Sequence, residues 1–323
     1  MKAAVYTKYG PPDVVQITDV EKPIPKDDEV LIKVRAASAN PYDWHLMRGE
    51  PYFVRLVAGL RKPEDKRLGV DVAGRVEVVG RNVTQFKPGD EVFGLCRGAF
   101  SEYVCTSESA LVTKPNNVTF EQAASVPLAA LTALQGLRDK GQIQPGEKVL
   151  INGAAGGVGT FAVQIAKSFG ADVTGVCSTR NVDMVRSIGA DHAIDYTQED
   201  FTKSGQQYDL ILDCMSNHSL LACRRVLNPK GIYIAVGGPG GRWMIGPLAR
   251  LITATLLSRF VSQKLFMVLT KRSKEDLMFM QELLKAGKIT PVIDKCYSLN
   301  EVPEAIRYLE AGHARGKVVI TLE

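Results

Sequence analysis

The 323-residue sequence holds no run near the roughly 18 uncharged apolar residues that a membrane-spanning helix needs. Its opening stretch, MKAAVYTKYG, carries no signal-peptide core. A soluble, cytoplasmic protein without stable membrane insertion is therefore expected. Cysteine is sparse: the six, Cys96, Cys105, Cys177, Cys214, Cys223 and Cys296, include no C-x-x-C pair. That pattern excludes a zinc finger and a disulfide framework and fits free thiols in a reducing compartment. The four histidines, His45, His192, His218 and His313, share no ligand spacing and read as structural. Charge of one sign is also missing, with 40 cationic against 35 acidic residues interspersed along the chain. Solvated faces explain such a balance better than a nucleic-acid patch, so no nucleic-acid partner is expected. Neither an internal repeat nor a low-complexity linker interrupts the chain.

What is present falls into two textures. From Met1 to about Thr119 short β-rich pieces such as AAVYT, VLIKVRAASA, VAGRVEVVG and FSEYV alternate with turns such as KPIPKDD and FKPGDE, suggesting an antiparallel, partly barrel-like domain. From about Glu121 strands and helices alternate: VLIN, a helix over 157–169, DVTGVC, a helix near 181–189, HAIDY, YDLILDC, a helix near 217–227, then GIYIAVG. This is the pattern of an α/β domain with a doubly wound parallel sheet covered on both faces. The last stretch, VIDKCYSLNEVPEAIRYLEAGHARGKVVITLE, ends in a strand that could return to the first domain.

The first βαβ unit contains GAAGGVG, residues 153–159. Ala154, Gly156 and Gly159 fill a G-x-G-x-x-G pattern with alanine in the first place, after strand VLIN and at the start of a helix. In that helix Val158, Phe161, Ala162, Ile165, Ala166 and Phe169 form one apolar face. Glycine lets backbone approach a pyrophosphate, the last glycine lets helix pack on strand, and the first-turn N–H groups attract the phosphates. The dinucleotide candidates are thus Ala154, Ala155, Gly156, Gly157, Val158 and Gly159, against a tight turn without ligand.

Selective binding of NAD usually places an acidic residue about 20 residues beyond the loop, where it would repel a 2′-phosphate. Here DVTGVC runs into Ser178, Thr179, Arg180 and Asn181, with no acid at that point. Hydroxyls and a guanidinium suit a phosphate dianion, so NADPH is the expected cofactor. The competing reading makes Ser178 a helix cap and Arg180 a solvated side chain.

GAAGGVGTFAVQIAKSFGA, SIGADHAIDY, the opening MKAAVY, GVDVAGRVEVVG, FKPGDEVFG and IRYLEAGHARGKVVI together resemble the medium-chain dehydrogenase/reductase superfamily, in its zinc-independent quinone oxidoreductase branch. The resemblance implies a GroES-like catalytic domain over 1–120, completed by 288–323, a Rossmann NADP-binding domain over 121–287, and an active-site cleft where they meet. It also makes a homodimer plausible. In alcohol dehydrogenases of this superfamily a cysteine ligand opens the motif that here reads NPYD, which puts Asn40 at the first zinc-ligand position. Their glycine-histidine-glutamate motif corresponds to Gly69, Val70 and Asp71, and the third ligand falls in PLAALTAL, residues 127–134, which has neither cysteine nor histidine. Three or four converging N, S or O ligands are required, so no metal is expected.

Without a Lewis acid, alcohol oxidation is hard and reduction of an electron-poor acceptor remains feasible. The expected enzyme is an NADPH-dependent reductase of a small-molecule quinone or enone. The alternative is a non-catalytic NADPH-binding protein acting through a partner. Tyr42 is the candidate hydrogen-bond donor, or else packs beside the nicotinamide. Asn40 fixes the cofactor or caps the helix that PYDWHLM begins. By resemblance, Tyr196 lies against the adenosine 2′-phosphate, Gly237 and Gly238 let the nicotinamide side approach, and Lys317 is cofactor-proximal or solvated. The apolar segment 241–270 reads as a lid, a dimer surface or a membrane-touching stretch, and the insertion 50–68 as a lining of the acceptor pocket.

Overall fold

A computed structural model describes residues 1–237 and 262–322. The chain divides into two compact units, one of residues 1–131 with 271–323 and one of residues 132–270. The first unit runs past the limits of 120 and 288 that the resemblance implies, to 131 and back to 271. Helix Phe120–Ala124 packs on first-unit strands, and helix Lys274–Lys285 packs against the strand Leu111–Thr113.

Strands of the first unit begin with the hairpin pair β1 (Lys2–Val5) and β2 (Gln16–Asp19), then β3 (Glu29–Ala39), β4 (Asp71–Val79), β5 (Glu91–Leu95), β6 (Tyr103–Ser107) and β7 (Leu111–Thr113). The second unit supplies β8 (Lys148–Asn152), β9 (Asp172–Cys177), β10 (His192–Asp195), β11 (Tyr208–Asp213), β12 (Leu227–Ala235) and β13 (Lys264–Met267). The chain then returns to the first unit with β14 (Ile293–Ser298) and β15 (Lys317–Thr321).

The first-unit sheet runs β14-β15-β3-β4-β5-β7, with β6 also on β3. The C-terminal strand lies antiparallel to β3, Val318 opposite Ala39 and Ile320 opposite Ala37. Its core joins Ile32, Val34, Val72, Val104 and Ile320, all almost wholly buried. Alternation of apolar residues along β3 and β4 fixes which side chains enter that core. The helix Pro41–Arg48 follows β3 directly, so whatever ends β3 also starts this helix.

The second unit is a parallel sheet ordered β10-β9-β8-β11-β12-β13. Its central strands are buried almost end to end, as continuous apolar runs covered on both faces must be. Chain order reverses between β8 and β11, where Asn152 is paired with Asp213. In open α/β sheets this is where ligands bind. The helix Gly157–Ser168 buries Phe161, Ala162, Ile165 and Ala166, the apolar face its periodicity predicts. Burying Phe161 alone contributes about 2–3 kcal/mol. Gly238 and residues 241–261 of the apolar segment lie outside the described residues.

Candidate active site

The loop between β8 and the helix Gly157–Ser168 shows a different need for each glycine. Gly153 turns the chain at φ 86°, a conformation costly for a side chain. A Cβ at Gly159 would stand 2.1 Å from the Gly153 carbonyl oxygen and 2.8 Å from the Ala154 Cα, so helix and strand are in contact there. At Gly156, the N-cap, the nearest atom to a Cβ would be 3.5 Å away. The protein itself does not need glycine at 156, and the space is left for something else. The first-turn N–H groups of a helix have no intrahelical partner. The Gly156 turn therefore fits a pyrophosphate, with Gly157 and Val158 opening the first turn. Ala154 and Ala155 are buried, and the Ala154 N–H donates to the Val176 carbonyl at 3.0 Å. Ala154 thus shapes the loop and its N–H is committed within the sheet.

Beneath the loop lies a polar network that the residue patterns did not announce. Asp213, fully buried at the end of β11, accepts from Asn152 Nδ2 at 2.8 Å and from the Ser216 and Met215 N–H groups at 2.7 and 3.1 Å through one oxygen. Its other oxygen accepts from the Tyr233 hydroxyl at 2.7 Å. Asn152 also donates to Asn217 Oδ1 at 2.9 Å. Ser216 donates to the carbonyl of Gly237, which turns at φ 80°. Two polar residues closing the apolar runs VLIN and YDLILDC were the available signal.

The far end of β9 gathers the coenzyme-selecting candidates. Ser178, Thr179 and Arg180 follow β9, and the Tyr196 N–H donates to the Cys177 carbonyl at 3.0 Å, bringing the half-exposed Tyr196 beside them. The segment 178–181 itself holds no acid, but the fold brings one to it from the next strand. Asp195, from the end of β10, accepts from the Thr179 hydroxyl at 2.5 Å, and from the Thr197 N–H and hydroxyl. The Thr179 hydroxyl above all holds this carboxyl below its ordinary range. Sixteen residues separate the partners, so only the parallel pairing of β9 with β10 could reveal it. The Ser178 hydroxyl caps no backbone group and accepts instead from Asn181 Nδ2 at 3.1 Å. Among the described residues the buried Asn181 amide oxygen has no hydrogen-bond partner, an acceptor left over at this end of the sheet.

The first unit holds a second cluster where β3, β4 and β15 come together. Asn40, only 3% exposed, donates from Nδ2 to Asp71 at 2.9 Å and to the Ser38 carbonyl at 3.2 Å, while its Oδ1 accepts from Lys317 at 2.5 Å. Both amide hydrogens are committed, and Asn40 is also the N-cap of the helix Pro41–Arg48: its carbonyl accepts the Asp43 N–H at 3.0 Å while the Asp43 carboxylate accepts the Asn40 N–H at 2.8 Å. A solvated Lys317 is ruled out, because the side chain is buried and burial pulls its pKa down while Asp71 and Asp43 oppose the shift. Tyr42 is half-exposed and its hydroxyl meets no hydrogen-bond partner among the described residues. From the 50–68 insertion, Phe53, Leu56, Val57 and Leu60 are exposed apolar side chains.

Asp43 is fully buried, and desolvation outweighs the Asn40 and Gly69 N–H donors to push its pKa to about 7. Its folded pKa lies above the unfolded one, so the native state binds the proton more tightly. The contribution of Asp43 to stability is then fully present below about pH 4 and is lost as pH rises from there through about 7. Urea unfolding across this range should show that decline, and Asp43→Asn should flatten it. An unchanged slope in the variant would reject the assignment.

At the positions where the resemblance puts metal ligands, the side chains present are poor metal donors. Asn40 and Val70 stand at two expected ligand positions, an ammonium sits on Asn40 Oδ1, and no group of three or more His, Cys, Asp or Glu converges among the described residues.

Residues 26–116 match the model of the alcohol dehydrogenase GroES-like domain, and residues 188–320 that of a zinc-binding dehydrogenase. The whole chain is 35% identical to NAD(P)H oxidoreductase RTN4IP1, mitochondrial, of Bos taurus, covering 89% of it. The chain belongs to the medium-chain dehydrogenase/reductase superfamily. Within it, this oxidoreductase falls in the quinone oxidoreductase branch. Over 99% of its length it is 33% identical to the NADPH-dependent alkenal/one oxidoreductase, chloroplastic, of Arabidopsis thaliana, covering 79% of that protein. The solved quinone oxidoreductase of Coxiella burnetii superposes with a TM-score of 0.87 at 30% identity, covering 100% of this chain and 99% of that one. The GroES-like and doubly wound architectures of this superfamily are both present. No helix among the described residues of this oxidoreductase is long and apolar enough to cross a membrane.

Proposed function

We propose that this oxidoreductase transfers hydride directly from NADPH to quinones or α,β-unsaturated carbonyls without zinc. The observation that carries the reading is the buried ammonium of Lys317 on Asn40, where metal-dependent relatives would gather ligands. With no Lewis acid to lower an alkoxide pKa, an acceptor that is already electron-poor is the suitable substrate. Gly156, Gly157, Val158 and Gly159 hold the pyrophosphate, Ser178, Thr179, Arg180 and Tyr196 the adenosine phosphate, and Gly237, Gly238 and Lys317 the nicotinamide side. The bound cofactor supplies the hydride. Tyr42 donates a hydrogen bond to the oxygen that gains charge, since its hydroxyl meets no hydrogen-bond partner among the described residues, and Asn40 fixes the turn beneath it. A cytoplasmic homodimer completes the reading.

NADPH oxidation against a quinone panel and an alkenal panel, run beside NADPH binding, tests it. Turnover with at least one panel is expected, and tight binding with no acceptor consumed would overturn it in favour of a binding protein. For the coenzyme, Arg180→Ala should weaken NADPH binding about tenfold, the value of one lost charge-assisted phosphate contact, with little change for NADH. Equal losses for both would reject the phosphate role, as would an NADH preference imposed by Asp195.

A further inference from the structure

We propose that Asp71 is the positioning residue of the acceptor end, holding Asn40 and Lys317 in one arrangement. The inference rests on the reading that those two residues serve the reaction. Asp71 begins β4 and is fully buried. One oxygen accepts from the Ser38 hydroxyl at 2.8 Å and Asn40 Nδ2 at 2.9 Å, with Lys317 Nζ at 3.5 Å, and the other accepts the Leu128 N–H at 2.9 Å. One carboxylate thus gathers the end of β3, the turn after it, the start of β15 and the first turn of helix Pro127–Leu134.

The charges dictate a single geometry. A buried ammonium without a counter-charge costs several kcal/mol. Asp43 also faces Lys317, but its two oxygens accept the Asn40 and Gly69 N–H groups, so Asp71 is the carboxylate in ion-pair contact with it. The Cys96 thiol, which faces Asp71, is kept neutral by burial. Asn40 lies between the pair, with Oδ1 on the ammonium and Nδ2 on the carboxylate. Turning the amide over would set NH₂ against NH₃⁺ and oxygen against oxygen. The Asp71–Lys317 pair therefore orients Asn40, and Asp71 anchors the lysine, although Asp71 itself need touch neither cofactor nor acceptor.

A double-mutant cycle separates this role from a merely structural one. Asp71→Asn, Lys317→Met and the double variant are compared for NADPH affinity by fluorescence, for kcat and KM of the acceptor, and for thermal melting. Lys317→Met is expected to lose about tenfold or more in NADPH affinity or kcat, Asp71→Asn to lose a similar factor, and the double variant to match Lys317→Met within about twofold. Ser38→Ala, which removes a neutral donor and leaves both charges, should stay within about twofold of wild type. Losses that multiply in the double variant, or wild-type kinetics for Asp71→Asn beside an impaired Lys317→Met, would overturn the positioning role alone. Wild-type kinetics for Lys317→Met would overturn the underlying reading as well. If Asp71→Asn does not fold, Asp71→Leu combined with Lys317→Met, which leaves no unpaired charge, is set against Lys317→Met for the same comparison.

Discussion

Gly159→Val should abolish NADPH binding and destabilise the second unit by about 4 kcal/mol or more, at the far end of the range for overpacking a core. The new Cβ would meet the Gly153 carbonyl oxygen at 2.1 Å and the Ala154 Cα and carbonyl carbon at 2.8 and 2.9 Å. All three are backbone atoms of the strand-to-helix loop, so relief requires the helix Gly157–Ser168 to move off β8. Phe161 and Ile165, buried on that helix, would lose their packing with it. Gly156→Ala is the informative contrast. Its φ of −84° suits any residue and its Cβ would have 3.5 Å of clearance, so melting should be nearly unchanged. If the clearance is the space of a pyrophosphate, NADPH affinity should nevertheless fall about tenfold or more. Unaltered NADPH affinity in a folded Gly156→Ala protein would remove the phosphate role of the loop.

Asp213→Ala is expected to cost about 3–5 kcal/mol of stability, the sum of several buried donors left without an acceptor at about 1–3 kcal/mol each. Asn152 Nδ2, the N–H groups of Met215 and Ser216, and the Tyr233 hydroxyl would all lose their acceptor, and Asn152, Ser216 and Tyr233 are buried. The donors sit at the carboxyl ends of β8, β11 and β12, so the damage reaches the strand ends that carry the loop. Urea unfolding gives the measurement. A loss below about 1 kcal/mol would mean that the network is dispensable or refilled by water.

Much of this architecture is legible along the chain because its signals are local. The alternation of VLIN, DVTGVC, HAIDY and YDLILDC with helical spacing announces a parallel sheet, and strand DVTGVC matches β9 residue for residue. The glycine spacing marks the dinucleotide loop, and the resemblance carried by GVDVAGRVEVVG and GAAGGVG placed the family. What escapes depends on pairings between distant residues. Asp195 comes beside Thr179 through the register of β9 and β10, and Lys317 meets Asn40 across 277 positions because β15 closes on β3. A lysine in RGKVV carries no local mark of burial, since its side-chain partners Asn40 and Asp71 lie 277 and 246 positions away. Asn40, read as a cofactor contact or a cap, is the N-cap of its helix, and its side-chain bonds to Asp71 and Lys317 escape the sequence for the same reason.

The central claim is that an ammonium held by Asn40 and Asp71 stands where a metal would, so turnover needs no metal ion. The most direct measurement is the steady-state rate of NADPH oxidation with the best quinone or enone acceptor, before and after exhaustive chelation, on protein whose metal content has been determined. The account predicts an unchanged rate on protein holding far less than one metal ion per chain. A rate that falls with chelation and returns with added zinc would contradict it.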